Sequence, residues 1–80
     1  MFEEKFHRRI ITDPEILIGK PVIKGTRIPV ELILRLLAQG TEVAEILEEY
    51  PRLAREDILA AIDYAHDVVA TEEVYRLQPA

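Results

Sequence analysis

Three cationic side chains and four turn-forming residues share twelve consecutive positions of this chain. Residues 19–30 read Gly-Lys-Pro-Val-Ile-Lys-Gly-Thr-Arg-Ile-Pro-Val, and the cations are Lys20, Lys24 and Arg27. Glycine adopts positive φ angles at little steric cost, whereas proline fixes φ and has no amide hydrogen to donate. This composition favours one defined loop that displays its cations to solvent.

The chemistry open to such a loop is the binding of anions. The planar fork of Arg27 suits paired hydrogen bonds to a carboxylate or a phosphate. We predict that a phosphate group or an acidic protein surface is bound by Lys20, Lys24, Arg27 and Arg9. The residues predicted to shape the loop are Gly19, Pro21, Gly25, Thr26 and Pro29. In the alternative reading, the glycines and prolines only form a turn and the cations only keep it solvated.

The residue types give little support to catalysis. The chain has no serine, cysteine, asparagine or tryptophan, so a nucleophile would have to be a threonine or a lysine. Gly19-Lys20 is not a nucleotide-binding P-loop, since that motif needs a hydroxyl residue after the lysine, where this chain has Pro21. His7 and His66 lie far apart in the sequence and are expected at the surface. We therefore predict that the protein is not an enzyme and uses no metal or cofactor.

The composition describes one small, acidic domain. Eighty residues bury only about 60% of their unfolded surface, and without cysteine no disulfide reinforces them. We therefore expect a homo-oligomer, a dimer, in which burial against a second copy adds stability.

The net charge of −5 is uneven: residues 1–35 carry seven cations and five anions, and residues 36–80 carry three cations and ten anions. An acid excess opposes nonspecific binding to nucleic acid.

The chain shows no pattern for a membrane or for export. It has no run of about 18 apolar residues and no signal-peptide pattern at its start. We expect no contact with membranes and a cytoplasmic location.

Periodicity and turn residues divide the chain into an N-terminal ribbon and a helical part. The predicted segments are a flexible arm at residues 1–8, a single domain at residues 9–70, and a tail or short helix at residues 71–80. Within the domain, residues 9–29 form a β-ribbon with the glycine/proline loop, and residues 30–70 form three helices, at about 30–38, 42–49 and 55–69. This pattern predicts a mostly α protein with a trihelical, helix-turn-helix-like bundle.

The first predicted helix has a wide apolar arc. At 100° per residue its apolar side chains cover roughly 200°, and only Glu31 and Arg35 form a polar stripe. This arc is wider than one small core requires, so we predict that half of it packs internally and half against a second copy. The residues predicted for the dimer interface are Leu32 and Leu36.

The other two helices differ in how they begin. Thr41 is predicted to cap the second helix, because a threonine hydroxyl accepts hydrogen bonds from the first backbone amides. Ala54 precedes the third helix and offers no such group, which should cost about 1 kcal/mol relative to threonine.

The third helix would be the DNA-reading helix of a helix-turn-helix protein, but its charge opposes that role. Residues 55–69 carry one arginine and four acidic side chains, whereas base reading favours Arg, Lys, Asn and Gln. Asp63 and Asp67 share one face, for which a solvated surface is a simpler explanation than a weak cation site. We expect an ordinary amphipathic helix.

The order of motifs resembles a known family. After the glycine/proline loop come, in one collinear register, Leu37-Ala38-Gln39-Gly40-Thr41, Glu45-Ile46-Leu47, Tyr50-Pro51, Glu56-Asp57-Ile58 and Tyr64-Ala65. Over about residues 9–66 the chain resembles the domain-of-unknown-function family 433, small prokaryotic proteins regarded as antitoxins of toxin–antitoxin pairs. Two positions depart from the family pattern: Ile18 stands where a second glycine is frequent, and Ala54 stands where threonine or serine is usual.

The resemblance implies a homeodomain-like fold and a function. An antitoxin of this kind binds and neutralises a PIN-like nuclease toxin, with autoregulatory binding to operator DNA through the basic ribbon and the dimer. Two alternatives stay open: a free-standing DNA-binding transcriptional regulator and, with less support, a hydrolase that holds a phosphorylated substrate with Lys20, Lys24 and Arg27.

Overall fold

A two-stranded antiparallel ribbon opens the described part of the chain. The computed structural model describes residues 8–76, with side chains placed for residues 8–71. β1 is Ile10–Ile11 and β2 is Val22–Ile23, with Ile10 opposite Ile23 and Ile11 opposite Val22. All four residues are β-branched, which suits extended backbone. The predicted ribbon is confirmed; the predicted arm, apart from Arg8, lies outside the described residues.

A 3-10 turn, Leu17–Gly19, lies between the strands and has an unusual backbone. Its three residues have positive φ angles, 51° at Leu17, 57° at Ile18 and 79° at Gly19. Glycine accepts this conformation freely, whereas a residue with a Cβ atom pays about 1–2 kcal/mol for it. Ile18 is also 94% exposed, so packing does not offset the strain at this position.

Three helices follow the ribbon, as predicted. α1 is Val30–Ala38, α2 is Val43–Glu49 and α3 is Arg55–Arg76. The bounds of α1 match the prediction. The ribbon and this bundle together confirm the predicted fold class, a small, mostly α protein.

The start of α2 corrects the sequence prediction. Glu42, not Thr41, is the N-cap residue: its side chain accepts from the backbone of Glu45, and the Glu45 carboxylate accepts from the Glu42 amide at 3.1 Å. This reciprocal capping box satisfies two amides that the helix leaves without a partner. The carboxylates of an acidic helix therefore replace the expected hydroxyl cap.

The third helix is longer than predicted. It continues to Arg76, so residues 71–76 extend α3 and do not form a separate helix, because no glycine or proline interrupts them. Its 22 residues correspond to about 33 Å, against about 14 Å for the nine residues of α1. Residues 77–80 of the predicted tail lie outside the described residues.

One apolar core joins the ribbon to all three helices. Its buried members are Ile23, Val30, Ile33, Ile46, Leu53, Ile58 and Ala61. The α3 side chains that reach this core end at Tyr64. Among the described residues, the C-terminal half of α3 therefore projects past the core. None of the described helices combines the length and apolarity that crossing a lipid bilayer requires.

Candidate functional site

The glycine/proline loop forms a closed turn held by its own backbone. Thr26 donates its amide hydrogen to the Ile23 carbonyl at 3.0 Å, and Ile23 donates to the Ile28 carbonyl at 3.0 Å. Gly25 takes φ = 82°, which a type II turn requires at its third residue. At the base of the loop, Val30 donates to the Pro21 carbonyl at 3.0 Å. The loop is thus a platform fixed by hydrogen bonds within its own backbone.

Thr26 adds side-chain hydrogen bonds to both arms of this turn. Its hydroxyl donates to the Ile23 carbonyl at 2.8 Å and accepts from the Ile28 amide at 3.0 Å. Only a short hydroxyl side chain can make both bonds at this distance. The geometry explains why a threonine occupies this position of the loop.

Two of the four cations predicted to form one binding site are paired with carboxylates of their own chain. Arg9 donates from Nη1 to Oδ1 of Asp57 at 3.0 Å. Lys20 Nζ donates to Oε1 of Glu31 at 3.1 Å, and Oε2 of the same carboxylate accepts from Arg35 at 3.2 Å. Arg9 and Lys20 therefore act first as partners of carboxylates in their own chain. The binding role predicted for both stays a prediction, and each would have to share its charge with this internal partner.

Lys24 and Arg27 keep the predicted exposure. They stand on either side of Gly25-Thr26, and within residues 8–71 neither side chain is paired with a carboxylate. The Lys24 amide donates to the Arg9 carbonyl at 2.7 Å, which anchors the turn to the ribbon. Within the described side chains, the unpaired charge of the loop is thus confined to these two residues.

Arg52 is a third cation at this turn, and it is not among the residues predicted for the site. Its Nη2 donates to the Gly25 carbonyl at 2.9 Å across 27 positions of the chain. Arg27 and Arg52 line the same surface depression of about 410 Å³, together with Ile11, Ile16, Gly25 and Thr26. Nothing in the local sequence around Tyr50-Pro51-Arg52 indicates this meeting, because it depends on how α2 is placed beside the ribbon.

An apolar groove lies between α1 and α3 and reaches the base of the glycine/proline loop. Its walls are Val30 and Leu34 of α1 and Tyr64, Ala65, Val68 and Val69 of α3, and Lys20, Pro21 and Glu31 complete its lining. It encloses about 350 Å³. Val68 is 44% exposed and Val69 51% exposed, and Ile62 on the adjoining face of α3 is 45% exposed. Exposed apolar patches of this kind mark surfaces that bind other molecules.

The predicted dimer residues lie elsewhere. Leu32 and Leu36 of α1 are each half-buried, and Leu36 packs against the core of its own chain. The more exposed apolar side chains of the helices belong to α3. A second copy on α1 would therefore rely mainly on Leu32, and the interface itself stays a prediction.

Asp63, His66 and Asp67 lie together on α3, with one donor atom of each within 4.8 Å of the others. They follow the i, i+3, i+4 spacing of one helix face. Neighbouring carboxylates on a solvated helix arise without a metal. We therefore assign no metal-binding role to these three residues, and the absence of a metal stays a prediction.

The comparisons with known proteins agree on one family. The family model described as Protein of unknown function (DUF433) matches residues 10–65. An uncharacterized protein y4eO of Sinorhizobium fredii is 44% identical over 59 residues, which is 72% of this chain and 27% of that protein. An uncharacterized protein of Archaeoglobus fulgidus is 54% identical over 28 residues, 35% of this chain and 78% of that protein. The chain thus spans about a quarter of the Sinorhizobium relative.

A solved structure supports the same assignment. The crystal structure of a DUF433 member protein from Anabaena variabilis, at 2.00 Å resolution, is similar with a TM-score of 0.73 and 31% sequence identity. The match covers 94% of this chain and 72% of that one. The loop motif, the collinear family match and the shared fold lead to one conclusion: this chain belongs to the DUF433 family.

Proposed function

We propose that this protein is a cytoplasmic antitoxin that binds and neutralises a PIN-like nuclease toxin, and that it is not an enzyme. The observation that carries the proposal is the apolar groove between α1 and α3. A small domain gains no stability from leaving Val68 and Val69 exposed, so a partner that covers them is the simplest account. The family resemblance supplies the toxin as that partner.

The acidic charge of two helices supports a nuclease as the ligand. α3 carries Asp63 and Asp67 outside the groove lining, and α2 carries Glu45, Glu48 and Glu49 in one surface depression. A nuclease binds nucleic acid through a positively charged surface. Acidic helices complement such a surface and speed the encounter of the two proteins.

The test is co-expression with a nuclease-like product of a neighbouring reading frame, followed by co-purification and growth. The wild-type protein is expected to co-purify with the nuclease and to restore growth. Val69→Asp places a charge in the groove at a half-exposed position and is expected to abolish both effects. Thr71→Asp adds the same charge at an exposed position of α3 outside the groove lining and serves as the matched control. A Val69→Asp protein that still neutralises the nuclease would contradict the proposal.

A second candidate, a DNA-binding regulator, is favoured by one observation. Lys24, Arg27 and Arg52 gather at one rigid turn, and a dimer would present two such turns to an operator. The test is binding of the protein alone to the DNA upstream of its gene across a salt series. A binding constant that falls steeply with salt concentration, with a slope that corresponds to the release of several ions, would support the regulator. Binding that is weak and independent of DNA sequence would count against it.

A further inference from the structure

The guanidinium groups of Arg27 and Arg52 face one depression from two different elements. Arg27 belongs to the glycine/proline loop, and Arg52 follows α2. The Gly25 carbonyl takes one hydrogen bond from Nη2 of Arg52 at 2.9 Å, which holds this side chain beside the turn. A guanidinium has five donor hydrogens, so the remaining donors of Arg52 stay available.

The platform under these two side chains is rigid. The Thr26 hydroxyl connects the Ile23 carbonyl and the Ile28 amide, and the Gly25 backbone is held in its positive φ conformation by the same turn. Side chains on a fixed platform lose little freedom on binding. An anion bound in the depression therefore meets two arginine side chains that line it.

Three other cations near the ribbon differ from Arg27 and Arg52. Arg9, Lys20 and Arg35 each have a carboxylate partner within 3.2 Å. Within the described side chains, no such partner is paired with Arg27 or Arg52, although the chain has 15 acidic residues against 10 Lys and Arg. An anion bound in the depression that both arginines line would offset two positive charges at once.

We propose that Arg27 and Arg52 form a binding site for a single carboxylate that a partner protein presents on its surface. This inference rests on the proposed function and deepens it, because it names a polar contact separate from the apolar groove. Each arginine would donate to one carboxylate oxygen, with Arg52 already positioned by Gly25. Charge-assisted bonds of this type are the strong ones in protein interfaces.

The surroundings favour a carboxylate over a phosphate chain. α2 ends at Glu49, three residues before Arg52, and Glu45, Glu48 and Glu49 line their own depression on that helix. A polyanion laid past Arg52 meets these carboxylates, whereas a single charge at Arg27 and Arg52 does not. Nucleic acid is therefore the less favoured occupant and becomes an outcome of the test.

The test uses the full chain and three probes, followed by NMR through the backbone amides. The probes are a blocked Gly-Glu-Gly peptide, which carries a single carboxylate, inorganic phosphate and a 20-base-pair DNA duplex. We expect the peptide to shift the amides of Gly25, Thr26, Arg27 and Arg52. Arg27→Lys and Arg52→Lys keep the charge and lose the planar guanidinium, so each should raise the Kd for the peptide at least about threefold.

Arg55→Lys is the matched control, since Arg55 is an exposed arginine at the start of α3. Its Kd should stay within about twofold of wild type, because a surface charge outside the site acts only through screened electrostatics. An equal loss in Arg55→Lys, or no loss in either variant of the pair, overturns the site. If phosphate or the duplex shifts these amide signals and the peptide does not, the carboxylate assignment is overturned. Melting temperatures equal to that of the wild type show that a variant with reduced affinity is still folded.

The outcomes separate this site from the proposed function. If the nuclease is neutralised equally well by Arg27→Lys and Arg52→Lys, the site is wrong and the antitoxin proposal stands. If no nuclease is bound but the peptide still requires both arginines, the antitoxin proposal is wrong and the carboxylate site stands.

Discussion

Arg9 and Asp57 lie 48 positions apart in the chain and form the ion pair that joins the ribbon to the start of α3. Nη1 of Arg9 donates to Oδ1 of Asp57 at 3.0 Å, and Oδ2 of Asp57 accepts from the Ala54 amide at 2.8 Å. The Asp57 side chain is only 9% exposed. One carboxylate therefore caps a helix and ties down the N-terminal ribbon.

Removing this carboxylate should destabilise the fold. Asp57→Ala loses the helix cap and the partner of Arg9, and we expect the free energy of unfolding to fall by about 2 kcal/mol. The half-exposed Arg9 can regain water, which keeps the loss below that of a fully buried pair. Urea denaturation measures the change. Glu56→Ala removes an exposed carboxylate from the same first turn and should change stability by less than about 0.7 kcal/mol. Equal losses in the two variants would argue against the cap.

Ile18 is expected to be a source of strain that glycine relieves. Its φ of 57° suits glycine, and its side chain gains no burial. Ile18→Gly should therefore raise the free energy of unfolding by about 1 kcal/mol, even after the entropy that glycine adds to the unfolded chain. Ile18→Ala removes the branched side chain but keeps the Cβ atom, so it should raise the free energy of unfolding by less than Ile18→Gly does. If both variants gain equally in a denaturant titration, backbone strain is not the cause.

Ala54→Thr should raise the melting temperature. Residue 54 directly precedes α3, and its amide is held by Asp57, so a hydroxyl there can accept from a first-turn amide of the helix. A gain of about 1 kcal/mol corresponds to about 4–8 °C for a domain of this size. Ala54→Val has a similar shape without the hydroxyl and should show no gain by calorimetry. A valine variant as stable as the threonine variant would refute capping.

Glu31 gives a pH dependence of known sign. Hydrogen bonds from Lys20 and then from Arg35 lower the pKa of its carboxyl below the usual value. The stabilisation is therefore present above the ordinary glutamate pKa of about 4.3 and is lost as the pH falls through the lowered folded value. Carbon-13 NMR titration should show that Lys20→Met moves the pKa of Glu31 upward. Lys24→Met, which removes an unpaired lysine, should leave it unchanged.

The predicted dimer can be tested on both helices. Leu32→Glu places a charge on the side of α1 predicted to meet a second copy and is expected to halve the mass measured by light scattering. Leu32 is a cleaner choice than Leu36, which packs against its own core. Val69→Glu probes the exposed face of α3 in the same way. If only Val69→Glu halves the mass, the copies meet through α3 and the α1 prediction is wrong.

Local sequence information was sufficient for the elements that local forces decide. Apolar periodicity together with Pro29 and Gly40 predicted the bounds of α1, and the glycine/proline run predicted a defined loop. Both depend on φ preferences and side-chain spacing over a few residues. The first residue of α2 and the last residue of α3 were harder to predict. Glu42 and Thr41 are both able to cap α2, and the sequence after residue 69 suits either a continued helix or a separate one.

Only the tertiary structure decided which charges are paired. The sequence places Arg9 and Lys20 with Lys24 and Arg27, but folding brings Asp57 to Arg9 and Glu31 to Lys20, and it brings Arg52 to Gly25. It also leaves Val68 and Val69 beside Leu34 in an open groove. The physical reason is distance along the chain: a side chain selects partners by position in space, and that position depends on how ribbon and helices pack around one core.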